Sequence, residues 1–358
     1  MNFDLSEEQR LLTETVRQFL EQECPATRLR EIFDGETGHD PSLWKGLVEM
    51  GLCGIAISER YGGAGLETLD LALVSETLGF AAAPVPFFGH ALAALAISRA
   101  ASEDQKKKWL PALAAGDLVG TVALGEEGNR WQPEEWSLAA GSTLTGLKTN
   151  VPFASSADLL VVGLAGGGLA VVEAGANGLS CEALGGADRT RRIEQVSFDA
   201  TPYEVLPEGA SAAGRVRDTA LVLLAADALG GATRCVEMSV EYAKTREQFG
   251  VTIGHFQALK HQLADMAVEV EPARGLMWYA AHALDHVEDQ AERSAAIAKA
   301  HLTERYMQVA RDTVEAHGGI GFTWECDVQI WFKRAMFDRA FFGTPSVHRE
   351  RAAALAGW

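Results

Sequence analysis

The stretch YAKTREQFGVTIGHFQ, from Tyr242 to Gln257, gathers arginine, aromatics, glycines and glutamines at fixed offsets. Those types can hold an anionic ligand but cannot break a bond. Arg246 carries a permanent charge on a planar fork that matches phosphate. A purely structural account also exists: a helix closes at Gly250 in a left-handed C-cap, and Arg246 offsets the negative end of its dipole. That account leaves the second half unexplained, where GHFQALKHQLADMA opens a new helix at once. Other constellations are weaker. His282 and His286 have the i,i+4 spacing of metal ligands, but the HExxH order is absent and Asp285 and Glu288 read as a solvated face, so no metal site is expected. Ser346 and His348 lie close together without the GxSxG elbow that acyl hydrolysis uses. The glycines from Gly163 to Gly168 stand between two apolar runs and read as a hairpin turn. A phosphate loop would need a following helix and a Gly-Lys-Ser/Thr ending.

The elements that must position these residues follow from periodicity. Ser6 and Gln9 form a capping box ahead of the stripe Leu11, Leu12, Val16, Phe19 and Leu20. Further helices are predicted from Pro41 to Gly51, over 66–80, 86–101 and 102–115, with YGGAG (Tyr61 to Gly65) as a loop. From about Val119 the period becomes that of strands: TVAL, STLTGLKTNV, DLLVVGL, LAVVEA and IEQVSFDA. Helical pattern returns over about 212–245, 255–286 and 290–318, with a short last helix from Pro345. The reading is a mainly α chain with a central β-domain: an N-terminal helical domain over 1–117, a β-barrel-like middle over 118–210 and a four-helix bundle over 211–358. With 358 residues, 47% hydrophobic and 22% charged, the composition is that of a globular protein. A net charge of −18 argues against nucleic-acid or anionic-membrane partners, while local arginines can still bind phosphate. Five scattered cysteines without a CxxC pair, no leader-like opening and no long uninterrupted apolar run fit a cytoplasmic subunit.

The pattern RxxFGxxIxxFQ from Arg246 to Gln257 resembles the C-terminal domain of the acyl-CoA dehydrogenase flavoproteins. YGGAG and EDQKKKWLPALAAG resemble the N-terminal helical domain of the same family. The resemblance spans essentially the whole chain. It implies FAD lying across two subunits, with the ADP half on the C-terminal bundle of one. The matching positions are Arg246, Phe249, Gln257, the Gly318–Gly319 pair and Thr344. Glu315 departs from the glutamine usual before that glycine pair. The flavin half fares differently. LGEEGNRW (Leu124 to Trp131) stands where the family has a TEPxAGSD-like segment. Asn150, Val151 and Pro152 stand in place of its tryptophan-isoleucine-threonine.

The resemblance also implies a glutamate that takes the α-proton of the thioester while hydride leaves for the flavin. Its two family positions hold Phe342 and Ala220, and a usual arginine for the CoA moiety is Leu221. Asp218 and Asp227 on the same helix are the available substitutes. Residues that a subunit donates to its neighbour's cofactor survive, whereas those of its own site are lost. This pattern resembles the smaller, degenerate subunit of heteromeric, steroid-CoA type acyl-CoA dehydrogenases. The implied partner is a homologous subunit, with acyl-CoA as substrate and an electron-transferring flavoprotein as acceptor. The alternatives are a homomeric flavoenzyme with a relocated base and a non-catalytic scaffold.

Overall fold

The computed structural model describes residues 4–35 and 38–358. Local signals start and stop its helices. The Ser6 hydroxyl accepts from the Gln9 N–H and the Gln9 side chain accepts from the Ser6 N–H, opening α1 (Glu7–Glu23). After α2 (Ala26–Asp34), which the sequence reading missed, Asp40 caps α3 (Pro41–Glu49) through the N–H groups of Ser42 and Leu43. The N-terminal layer is completed by α4 (Thr68–Phe80), α5 (Phe87–Ala100) and α6 (Glu103–Ala115), the last closed by Gly116 at φ 74°.

Seven strands follow: β1 (Gly120–Ala123), β2 (Leu144–Pro152), β3 (Leu159–Gly163), β4 (Leu169–Glu173), β5 (Leu179–Ala183), β6 (Ile193–Thr201) and β7 (Glu204–Leu206). They form two sheets, ordered β1-β3-β4-β7 and β2-β6-β5. The Gly163–Gly168 turn joins β3 to β4 with Gly163 opposite Leu169, the hairpin that its flanks predicted. β1 and β3 are buried along their whole length, which accounts for their unbroken apolar runs.

The C-terminal third begins with α7 (Gly209–Thr245), followed by a short hairpin of β8 (Glu247–Gln248) and β9 (Val251–Thr252). Then come α8 (Gln257–Val270), α9 (Ala273–His286), α10 (Glu288–Ala316), α11 (Val328–Ala340) and α12 (Pro345–Leu355). The single helix expected over 255–286 is two, because Pro272 has no N–H for the ladder and its ring crowds the preceding turn. The helix α11 was not anticipated at all.

The core is organised on α7. It is long and apolar enough to cross a membrane by length and composition, yet 83% of its most apolar window is buried inside the protein. Its backbone touches that of α4: a Cβ at Gly79 would collide with the Asp227 carbonyl, and one at Gly230 with the Glu76 carbonyl. Asp227 is the one charge in the buried middle of this helix. Its Oδ1 accepts from Arg191 Nη2 at 2.5 Å and Arg334 Nη2 at 2.6 Å, and its Oδ2 accepts from Arg334 Nε at 2.8 Å. Arg334 also donates to Thr190 Oγ1 at 2.9 Å and to the Ala83 carbonyl at 3.4 Å. One guanidinium thus joins the N-terminal layer, the β-region and the bundle. Replacing it leaves a buried carboxylate short of a bidentate partner. Arg334→Met is therefore expected to cost about 3–5 kcal/mol, read as a lower urea midpoint with an unchanged m-value.

Candidate functional site

The hairpin after α7 departs from the C-cap account. The helix ends at Thr245, and the Arg246 N–H closes it on the Tyr242 carbonyl at 2.8 Å. The chain then reverses, and the Ile253 N–H returns to the Arg246 carbonyl at 2.8 Å. Phe249 at φ 56° and Gly250 at φ 81° form the two-residue turn between β8 and β9. Two successive positive φ values suit a hairpin turn, so Gly250 serves that turn and not the helix end. Phe249 is consequently thrust outward, 92% exposed, its ring edge-on to Phe256 at 6.0 Å.

The neighbouring residues complete an open surface. Arg246 and Gln257 are exposed, and the Gln257 amide meets His261 Nε2 at 2.8 Å. Tyr242 stacks on His317 at 4.4 Å and 21°, which sets the hairpin beside the turn that begins at Gly318. A Cβ added at Gly318 or Gly319 would meet no heavy atom within 4 Å. Backbone N–H groups there can approach a large anion closely. Glu315 is exposed as well. Thr344 does not join this group. It opens α12, paired with Ser346 Oγ at 2.9 Å, near Lys299. Lys299 and Gly318 are about 28 Å apart along α10.

The two base positions lie in a different environment. Phe342 is fully buried, and Ala220 and Leu221 are sealed within α7. Phe342 sits at φ 58°, an uncommon conformation for a bulky residue, and the turn is clamped on both sides. His348 Nε2 donates to the Phe342 carbonyl at 2.8 Å, and Lys299 Nζ donates to the Gly343 carbonyl at 3.0 Å. Burial pushes Lys299 down to about 7 and His348 down to about 4. Lys299 did not stand out in the sequence, since a single Lys inside a helical pattern normally reads as solvent-facing, and His348 was weighed only beside Ser346. His348 is thereby committed to a backbone carbonyl and not to Ser346.

Neither substitute aspartate is free to work. Burial alone would raise Asp227, but Arg191 and Arg334 outweigh it and hold the carboxyl well below the usual range. An always-ionised carboxylate in a bidentate pair is a poor proton acceptor, so Asp227 drops out as a base. Asp218 is buried against Arg217 Nε at 3.0 Å and Arg351 Nη2 at 3.4 Å. Both arginines also bond Gln132 Oε1, at 3.2 and 2.9 Å, and pair with Glu292. The histidine pair is a stacked dyad, 4.5 Å between rings, with His286 facing Glu67 at 2.9 Å. Among the described residues no group of three metal-type donors converges.

In the segment 124–138 the buried polar residue is Glu126. Glu126 accepts from Lys148 Nζ at 2.6 Å, from the Ser137 N–H and hydroxyl, and from the Leu138 N–H. Burial would raise Glu126, but these bonds bring it down to about 2; burial pushes Lys148 down to about 8. Lys148 was legible only as an odd polar residue at an inward position of β2. Farther along that strand, Val151 is buried and the Pro152 carbonyl is taken by Thr121 Oγ1 at 2.5 Å.

Comparison with known proteins agrees on kinship. Residues 6–117 match the family model for the acyl-CoA dehydrogenase N-terminal domain, and residues 214–356 that for the C-terminal domain. The chain is 33% identical to the acyl-CoA dehydrogenase IpdE2 of Mycolicibacterium smegmatis, over 98% of this chain and 99% of that protein. It superposes on a chain of the Tcur3481-Tcur3483 steroid ACAD with a TM-score of 0.90 at 33% identity, covering 98% of both. Superposition on a chain of the ChsE4-ChsE5 complex from Mycobacterium tuberculosis gives 0.87 at 27% identity, covering 100% of this chain and 99% of that one.

Asp218 offers a check independent of kinship. Burial pushes it up to about 6, against the pull of Arg217. A raised carboxyl contributes stability that is complete below its unfolded value and lost as pH rises through about 6. The stability of the wild type relative to Asp218→Asn should therefore fall by roughly 2 kcal/mol between pH 4 and 7.5. Paired urea titrations at the two pH values read this difference directly.

Proposed function

Since the chain belongs to the acyl-CoA dehydrogenase family of FAD-dependent oxidoreductases, we propose that it is the non-catalytic half of a heteromeric member. In this reading it lends the ADP-half of an FAD site to a homologous subunit that carries the glutamate. The observation behind it is an asymmetry within one chain. Arg246, Phe249, Gln257 and the Gly318–Gly319 turn form an open edge, whereas Phe342 and Ala220 are buried where a base would stand. A general base contributes about 10²- to 10⁴-fold, and among the described residues neither Asp218 nor Asp227, each locked to arginines, is placed to supply it. The steroid ACAD and the ChsE4-ChsE5 complex among its structural relatives support a two-subunit assembly. The substrate is then an acyl-CoA thioester, steroid-derived by the same likeness, oxidised at Cα–Cβ on the partner, with an electron-transferring flavoprotein as acceptor.

Flavin content tests the reading. Purified alone, the chain should be colourless; copurified with a homologous subunit bearing the glutamate, the assembly should show a flavin band and bleach with acyl-CoA. Full flavin content in the lone chain would defeat the proposal in favour of a homomeric enzyme, and a colourless mixed assembly would favour a scaffold. Within the mixed assembly, Arg246→Ala should weaken FAD binding about 10- to 100-fold, the worth of one charge-assisted contact, with assembly unchanged by sedimentation.

A further inference from the structure

The two halves of an FAD fit this chain unequally. The ADP-half edge is open, but no ring system can enter the chain's own site, because a side chain already fills it. We infer that Trp131 is an intramolecular ligand: its indole occupies a ring-sized apolar chamber beside Phe342, and removing it opens a site for a neutral planar aromatic molecule.

The indole is almost completely buried, stacked on Phe342 at 4.6 Å and 23° and edge-on to Phe341 at 5.1 Å and 73°. Phe88 on α5 closes the chamber, 5.8 Å from each phenylalanine. The fourth side is Gly125, where an added Cβ would lie 2.8 Å from the indole, too near for any side chain. Both flanks of Trp131 are tied down. Upstream, Glu126 is held by Lys148, Ser137 and Leu138. Downstream, Gln132 is held by Arg217 and Arg351. Glu135 Oε2 accepts from the N–H groups of both Trp131 and Gln132 at 3.1 Å.

Arg217 sits one helical turn before Ala220 and Leu221, on the same face of α7. The plug therefore runs from the Phe342 turn to the α7 face that carries the second base position. The chemical class of the replacement ligand follows from the walls. The indole N–H finds no acceptor, so the chamber holds no built polar contact for a guest. It suits an uncharged hydrocarbon-like ring and not an anionic thioester or a hydrogen-bonding isoalloxazine. Rigidly walled apolar cavities of this kind stay dry and take up small aromatics.

The test uses the full chain carrying Trp131→Gly, with indole as the probe. The expected result is a Tm several degrees below wild type that indole restores saturably, while the wild type gains nothing. A folded variant with no indole-dependent rise in Tm, or a wild type that rises equally, overturns the inference. Should Trp131→Gly fail to fold, Trp131→Leu with benzene gives the same two readings. Neither FAD nor a partner enters this experiment, so the half-site reading and the plug stand or fall separately.

Discussion

Burying a carboxylate in the middle of an apolar helix is tolerable only if a cation of the right shape reaches it, and here that cation is Arg334. Its bidentate pairing with Asp227 closes the α7–α11 contact. Its remaining donor goes to Thr190 and Ala83, so the same guanidinium registers the β-region and the N-terminal layer on the bundle. Arg191 brings a second positive charge to the same carboxylate. Beside it, Asp338 is pushed well above the usual carboxylate range by burial and by Asp227. Burial and the Asp227 charge thus disfavour a second negative charge at this junction. The glycine contacts between α4 and α7 work toward the same end, bringing the backbones close enough for Asp227 to sit at the meeting point.

That junction supports two surfaces of opposite character. At the far end of α7 the backbone leaves the helix into a hairpin whose turn places a phenylalanine in solvent. That exposed aromatic, beside an arginine and an open glycine turn, leaves the edge accessible to a partner or ligand. Nearer the Phe342 turn two buried donors are spent on the chain's own backbone. Lys299 and His348 hold consecutive carbonyls of a turn that is conformationally uncommon for phenylalanine, and aromatic rings fill the space in front of it. A site that once needed to open would not be expected to spend buried donors on its own backbone in this way.

Charge is distributed to match. The chain carries a net charge of −18, yet Arg246 and the Gly318–Gly319 turn stand exposed on one edge. The arginines nearer the closed chamber, Arg217 and Arg351, are instead paired with Asp218 and Glu292 and bonded to Gln132. Local pairing, and not overall charge, decides where an anion can be received.

Much of this was legible in the residues taken in order. Capping at Ser6, the helix over 102–115, the strand runs and the hairpin at Gly163–Gly168 are local signals, set by hydrogen bonds within a few residues, and the structure has them all. The motif from Arg246 to Gln257 was equally visible, as was the absence of a carboxylate at Phe342 and Ala220. What the Gly250 turn does was misread, because a helix C-cap and a hairpin turn both ask for positive φ and only the pairing of β8 with β9 separates them. The roles of Trp131, Lys148, Lys299 and Arg334 were out of reach for a different reason. Each depends on a partner tens to hundreds of positions away, as Arg334 does on Asp227 and Trp131 on Phe342. Residue types and spacing settled which groups the protein possesses and which it lacks. Only the packing of distant segments decided which of them stay open to a ligand, because desolvation and pairing are properties of a place and not of a position in the chain.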